Sequence, residues 1–199
     1  MVAGEKCSIA PCAPSTLKGE AAEIEHGKRN VYLVGLMGAG KTTLGRAIAR
    51  RLGYVFVDSD QEVESRTGVS LTTVFEIEGE DGFRKREAQV IAELAKKRGR
   101  VVATGGGAVL RPENRANLAA SGIVVYLDVP ANTLYERTRR DKARPLLQVE
   151  DPLQKLQELH TQRDPCYREI ADIVISGSRI TAQAVLQSLA SQDGEKWKR

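Results

Sequence analysis

Apolar residues in this chain fall into short runs separated by stretches of helical spacing, and the alternation starts at Val31. Val31-Tyr32-Leu33-Val34 is apolar at consecutive positions and ends in glycine, the pattern of a strand covered on both faces. From Lys41 to Arg51 the period changes: Leu44, Ile48 and Leu52 recur on one helical face, and Gly53 closes it. Tyr54-Val55-Phe56-Val57 predicts a second strand ending at Asp58. Gly82–Arg98 predicts a helix whose apolar positions are Phe83, Val90, Ile91 and Leu94, and Val101-Val102-Ala103 a third strand. Pro112 suits the first turn of another helix. Ile123–Leu127 reads as a fourth strand, Ala131–Arg140 as a helix, Leu153–Glu169 as a long polar-faced helix, Ile173–Ile175 as a fifth strand and Ala182–Ala190 as a last helix.

Strands alternating with helices predict an α/β protein with a doubly wound, five-stranded parallel sheet flanked by helices. Such sheets bind ligands beyond the carboxyl ends of their strands. Three predicted strands end in unusual chemistry there: Gly35 onward, Asp58-Ser59-Asp60, and Gly105-Gly106-Gly107.

At 199 residues the chain suits one domain, expected over 29–192. Residues 1–28 carry several prolines and glycines and few β-branched residues, so a flexible N-terminal tail is expected, with a polar C-terminal tail at 193–199. The net charge of +4 suits a protein that handles small polyanions, and the arginines are too scattered to predict a nucleic-acid partner. Three cysteines, Cys7, Cys12 and Cys166, make neither a disulfide framework nor a zinc site. No apolar run approaches the roughly 18 to 20 residues of a membrane helix. Glu5, Glu20, Glu23 and Glu25, with no arginine before Arg29, do not suit a transit peptide, so a cytoplasmic location without membrane contact is expected.

Gly35-Leu36-Met37-Gly38-Ala39-Gly40-Lys41-Thr42 matches the phosphate-binding pattern G-x-x-x-x-G-K-[ST] in full. Glycines let backbone N–H groups wrap a phosphate, and the helix starting near Lys41 adds its positive dipole end. Lys41 is placed to reach the β- and γ-phosphates of a nucleoside triphosphate, and the Thr42 hydroxyl to ligate magnesium. An ordinary glycine-rich turn would not need a strand before it and a helix after it.

Asp58 and Asp60 alternate in a segment read as extended, so both carboxylates can face one cleft. One could help hold the metal and the other orient an acceptor hydroxyl and take its proton; the alternative is that one of them caps a helix. Three glycines at 105–107 suit close approach of a ligand to the main chain better than a simple strand-end bulge does. Arg84, Lys85, Arg86 and Glu87 are read as opening a helix, where cations oppose the dipole, so a guanidinium fork for a carboxylate is favoured over a solvated face for Arg84. Arg137, Arg139, Arg140, Lys142 and Arg144 crowd a segment ending in Pro145-Leu146-Leu147, the composition of a mobile lid over a nucleotide.

Taken together, the phosphate loop, Asp58-Ser59-Asp60, Phe83-Arg84 with Glu87, Gly105-Gly106-Gly107, Arg144-Pro145-Leu146-Leu147 and Arg163-Asp164-Pro165-Cys166-Tyr167 resemble the shikimate kinase family. The similarity runs from about Val31 to Leu189 and implies a P-loop fold like that of the nucleoside-monophosphate kinases. It implies transfer of the γ-phosphoryl group of ATP to the 3-hydroxyl of shikimate, a step toward chorismate and the aromatic amino acids, by a monomer that needs Mg2+. Lys41, Asp60 and Arg144 would be catalytic. Gly38, Ala39, Gly40, Lys41, Thr42, Thr43, Arg137, Arg144 and Arg179 would meet ATP, with Arg137 stacking on adenine. Asp60, Arg84, Gly105, Gly106, Gly107 and Arg163 would hold shikimate, its carboxylate on Arg84 and Arg163. Thr42 and Asp58 would serve the metal, and Glu87 would anchor Arg84. Two rival readings are a gluconate or nucleotide kinase and a nucleotide-sensing module without turnover; the first has no need of the triple glycine with Phe83-Arg84 and Arg163, and the second should lack the lysine or the acids.

Overall fold

A computed structural model describes residues 29–139, 147 and 149–191. Five strands form one sheet: β1 (Asn30–Val34), β2 (Val55–Asp58), β3 (Arg100–Ala103), β4 (Gly122–Asp128) and β5 (Ile173–Ser176). Among the described residues seven helices flank it: α1 (Lys41–Leu52), α2 (Ser59–Thr67), α3 (Leu71–Ala95), α4 (Pro112–Ser121), α5 (Ala131–Thr138), α6 (Pro152–Ile170) and α7 (Ala182–Ser191). Every strand pair is parallel, in the order β2-β3-β1-β4-β5. Strand order reverses about β1, so the crevice at its carboxyl end lies between the ends of β3 and β4.

Helices on both faces explain the unbroken apolar runs. Val31, Tyr32, Leu33 and Val34 are fully buried, as are Val101 and Val102, and Val124 to Leu127 are essentially so. Asn30, also buried, ties the start of β1 to its surroundings. Its Nδ2 donates to the carbonyls of Leu94 and Lys97, and its Oδ1 accepts from the Arg100 N–H. Helix ends follow their local chemistry. Gly53 and Gly68 take left-handed conformations just past α1 and α2, Ser70 caps α3 through the Thr73 N–H, and Asp151 caps α6 through the Gln154 N–H. Proline opens α4 and α6, where a missing N–H costs nothing. Among the described residues no helix is long and apolar enough to cross a membrane.

Helix α3 is two helical segments that meet at a kink: Gly79 (φ 69°, ψ −176°) is not helical, so the second segment, from Glu80, begins two residues before the expected Gly82. Arg84 to Glu87 lie a turn past the start of that segment. Arg86 donates through Nε and Nη2 to Glu78, so a two-point ion pair spans the break. The helix ends at Ala95, three residues before the expected Arg98. The lid segment 140–146, and with it Arg144, falls outside the described residues.

The Gly79 conformation belongs to a region that only glycine enters cheaply. Gly79→Ala is expected to lower unfolding free energy by about 1–3 kcal/mol in urea titration, although its Cβ would meet nothing within 4 Å.

Candidate active site

A cleft of about 670 Å³ opens at the carboxyl ends of the central strands. Its floor is the turn from β1 into α1, with Gly38, Ala39, Gly40, Lys41, Thr42 and Thr43 all on its surface. Gly38 (φ 78°) and Gly40 (φ 97°) hold left-handed conformations that curl the main chain. A Cβ on Gly38 would also strike Thr138 Cγ2 at 2.7 Å. Gly40 caps α1 without a side-chain bond, which leaves the first N–H groups of that helix facing the cleft. Lys41 reaches back along the loop, and its Nζ donates to the carbonyls of Gly35 (2.7 Å) and Leu36 (2.9 Å).

Beside the loop, Thr42 Oγ1 donates to Asp58 Oδ2 at 2.8 Å. Asp58 Oδ1 accepts the Asp60 N–H at 3.1 Å, so Asp58 is the N-cap of α2. Capping and the threonine contact thus coexist on one carboxylate, one oxygen for each. Asp60 belongs to α2 and not to an extended segment; both acids reach the cleft because β2 turns straight into a helix. A hydroxyl and two carboxylates are hard oxygen donors, the set that suits a magnesium-sized cation next to phosphates. Asp128, His160 and Asp164 bring three ligand atoms within 4.8 Å elsewhere, but Arg168 pairs with both acids at 2.9 and 2.8 Å and already supplies the positive charge.

The three glycines organise the far end. Gly105 carries Asp60 and Glu87: a Cβ there would lie 2.6 Å from Asp60 Oδ1 and 2.5 Å from Glu87 Oε1. Gly107 carries Arg84, whose guanidinium would sit 2.2 Å from such a Cβ. Gly106 faces the cleft, and its carbonyl accepts from Arg163 Nη1 (3.1 Å) and from the Tyr167 hydroxyl (2.5 Å). Backbone strain plays no part, because none of the three has positive φ. The sequence reading assigned the glycines to ligand approach. At 105 and 107 it is the protein's own charged groups that need the room, and only Gly106 borders open space.

Arg84 and Arg163 are 8% and 4% exposed. Arg84 Nη1 donates to the fully buried Glu87 at 2.8 Å, and its Nε and Nη2 share Glu80 Oε1. Burial raises the Glu87 carboxyl overall, a rise that the Arg84 charge opposes and Asp60 adds to. For Arg84, burial lowers the pKa, but Glu87 and Glu80 more than offset this and raise it overall. The short contact to a guanidinium that stays charged favours Glu87 as its ionised partner. Burial also pushes the Tyr167 hydroxyl up, so it serves as a neutral donor. Arg163 Nε is buried with no hydrogen-bond partner among the described residues, which leaves its Nε side ready for an acceptor.

Arg137 donates to the carbonyls of Gly38 and Ser178 at the nucleotide end of the cleft. Ile180 lines that end whereas Arg179, exposed beside it, does not. Sequence reasoning missed Ile180, and it missed Ser59 and Glu80. Buried Ser59 accepts the Gly105 N–H at 2.9 Å and so ties the acid segment to the glycines. A small polar residue between two acids was its only signal. Leu147 packs against the core at the end of the lid segment.

A family profile described as shikimate kinase matches residues 37–193. The shikimate kinase of Dechloromonas aromatica is 60% identical over 166 residues, 83% of this chain and 90% of that protein. A solved structure of shikimate kinase from Acinetobacter baumannii in complex with shikimate superposes with a TM-score of 0.82 at 48% identity, covering 87% of this chain and 98% of that one. A gluconokinase from Sinorhizobium meliloti covers 83% of this chain and 98% of its own at a TM-score of 0.51 and 20% identity, a likeness of fold alone.

Removing the acid while its arginine stays buried leaves an uncompensated charge. Glu87→Ala is expected to cost about 3–5 kcal/mol of stability, measured by urea unfolding. A loss within about 0.5 kcal/mol, the range of a surface change, would contradict the pairing.

Proposed function

The chain belongs to the shikimate kinase family, and from that premise we propose how its residues move the γ-phosphoryl group of ATP to the 3-hydroxyl of shikimate, giving ADP and shikimate 3-phosphate. The enzyme is an ATP-dependent phosphotransferase. Phosphoryl transfer passes through a loose transition state that needs little covalent help, so positioning and charge carry the catalysis.

The loop N–H groups from Gly38 to Thr42 cradle the β- and γ-phosphates, and Lys41 Nζ exchanges its two carbonyl partners for phosphate oxygens. Thr42 and Asp58 are the residues that would hold the metal, which we take to be Mg2+; bound there, it supplies neutralisation of the phosphate charge. At the other end the shikimate carboxylate sits on the guanidiniums of Arg84 and Arg163. Asp60 receives the hydroxyl: its Oδ1 is turned inward against Gly105, so Oδ2 is the oxygen that orients the 3-hydroxyl and accepts its proton. Arg137 guides the nucleotide at the rim. Arg144, outside the described residues, would bring a further positive charge from the lid.

One observation carries this reading more than any other. Asp60, Arg163 and Arg84 register on Gly105, Gly106 and Gly107 in turn, so a hydroxyl acceptor and two carboxylate forks are spaced along a few ångströms of fixed main chain beside the phosphate loop. A nucleotide acceptor has no carboxylate to offer that row.

ADP release is expected with shikimate and magnesium, and not with gluconate, AMP or chelated metal. Lys41→Ala should lower turnover with shikimate by about 10²–10³-fold, as loss of one charge-stabilising donor commonly does. Turnover on gluconate or AMP at the shikimate rate would reject the substrate, and near-normal turnover of the lysine variant would reject its role.

A further inference from the structure

Arg84 and Arg163 play parallel parts at the acceptor end, yet their surroundings differ. The Nε of Arg163 has no hydrogen-bond partner among the described residues, whereas Nε and Nη2 of Arg84, the side-on fork that grips a carboxylate, both converge on Glu80 Oε1 at 3.3 and 3.1 Å. Glu80 is thus a carboxylate already seated on one of the two cations. Its side chain is 59% exposed while that of Arg84 is only 10% exposed, so Glu80 covers the guanidinium from the solvent side. It also stands immediately after Gly79, the non-helical residue within α3, and Gly79 has open space around it.

We infer that Glu80 is an affinity-setting residue of this enzyme: an internal carboxylate that holds the Arg84 fork until the carboxylate of the substrate displaces it. The inference rests on the proposed placement of the substrate carboxylate at Arg84. Charge argues for displacement rather than for shared occupancy. Three acids, Asp60, Glu80 and Glu87, stand against two arginines at this end of the cleft, and an incoming anion would add a fourth negative charge. Glu87 is buried and fixed by its Arg84 contact, and Asp60 is needed for the hydroxyl. Of the three, Glu80 is the exposed one, Asp60 being half-buried and Glu87 buried, so its carboxylate regains water most readily on leaving Arg84. Arg84 keeps Glu87 and its seat over Gly107 throughout, so the fork stays aimed while Glu80 swings out.

The test is calorimetric titration of shikimate and of its neutral methyl ester into wild-type enzyme, Glu80→Gln and Arg84→Lys. Glu80→Gln should bind shikimate about 2- to 5-fold more tightly, the order expected of a pair whose acid partner is open to water. It should bind the ester as wild type does, and show a lower KM for shikimate with kcat and the KM for ATP unchanged. Arg84→Lys should bind shikimate more weakly. If Glu80→Gln binds shikimate equally or more weakly while Arg84→Lys is impaired, Glu80 is no competitor and the inference fails alone. If Arg84→Lys binds shikimate as wild type does, the placement of the carboxylate fails first.

Discussion

Charged side chains in this protein are packed onto main chain with no room for a single extra carbon. Asp60 and Glu87 press on Gly105, Arg84 on Gly107, and Arg163 and Tyr167 grip the carbonyl of Gly106. The acceptor end of the cleft depends on this contact. Long flexible guanidiniums usually wander, and holding one in place costs side-chain entropy. Here the main chain of β3's extension sets their positions, and the ordering is done at folding instead of at each binding event.

The rest of the fold supplies what that contact requires. β1 and β3 are buried on both faces and β2 pairs with β3, so the carboxyl ends of the three are fixed relative to one another, and the loop, the acids and the glycines leave from them. The phosphate loop departs from β1, the acid pair from β2 and the glycines from β3. Ser59 joins the last two by accepting the Gly105 N–H. Opposed to this rigidity are the features free to change: Lys41 folded onto its own loop carbonyls, and the break at Gly79 beside Glu80.

Much of this was legible in the sequence, for reasons that can be named. The five strands announced themselves as short apolar runs because helices cover both faces of the sheet, and the loop pattern around Lys41 was complete. The helical segment after Gly79 was legible from Phe83, Val90, Ile91 and Leu94, whereas its junction with the turns from Leu71 was not, because one glycine does not distinguish a kink from a helix end. Arg84 was picked out as a cation near a helix start, which its place a turn past Gly79 allows; its burial beside Glu87 is the stronger reason. The glycines were noticed correctly as expensive, but what fills the space beside 105 and 107 comes from Asp60, Glu87 and Arg84, on other elements of the fold. Arg163 entered only through family resemblance, since nothing in its own helical neighbourhood points to Gly106.

The most direct test is a crystal structure of the enzyme with shikimate and ADP. The expected density shows the shikimate carboxylate between Arg84 and Arg163 and the 3-hydroxyl on Asp60, with Gly105 to Gly107 unmoved. A carboxylate bound away from both arginines, or a glycine segment rebuilt around the ligand, would contradict the claim that fixed main chain sets the charges of this site.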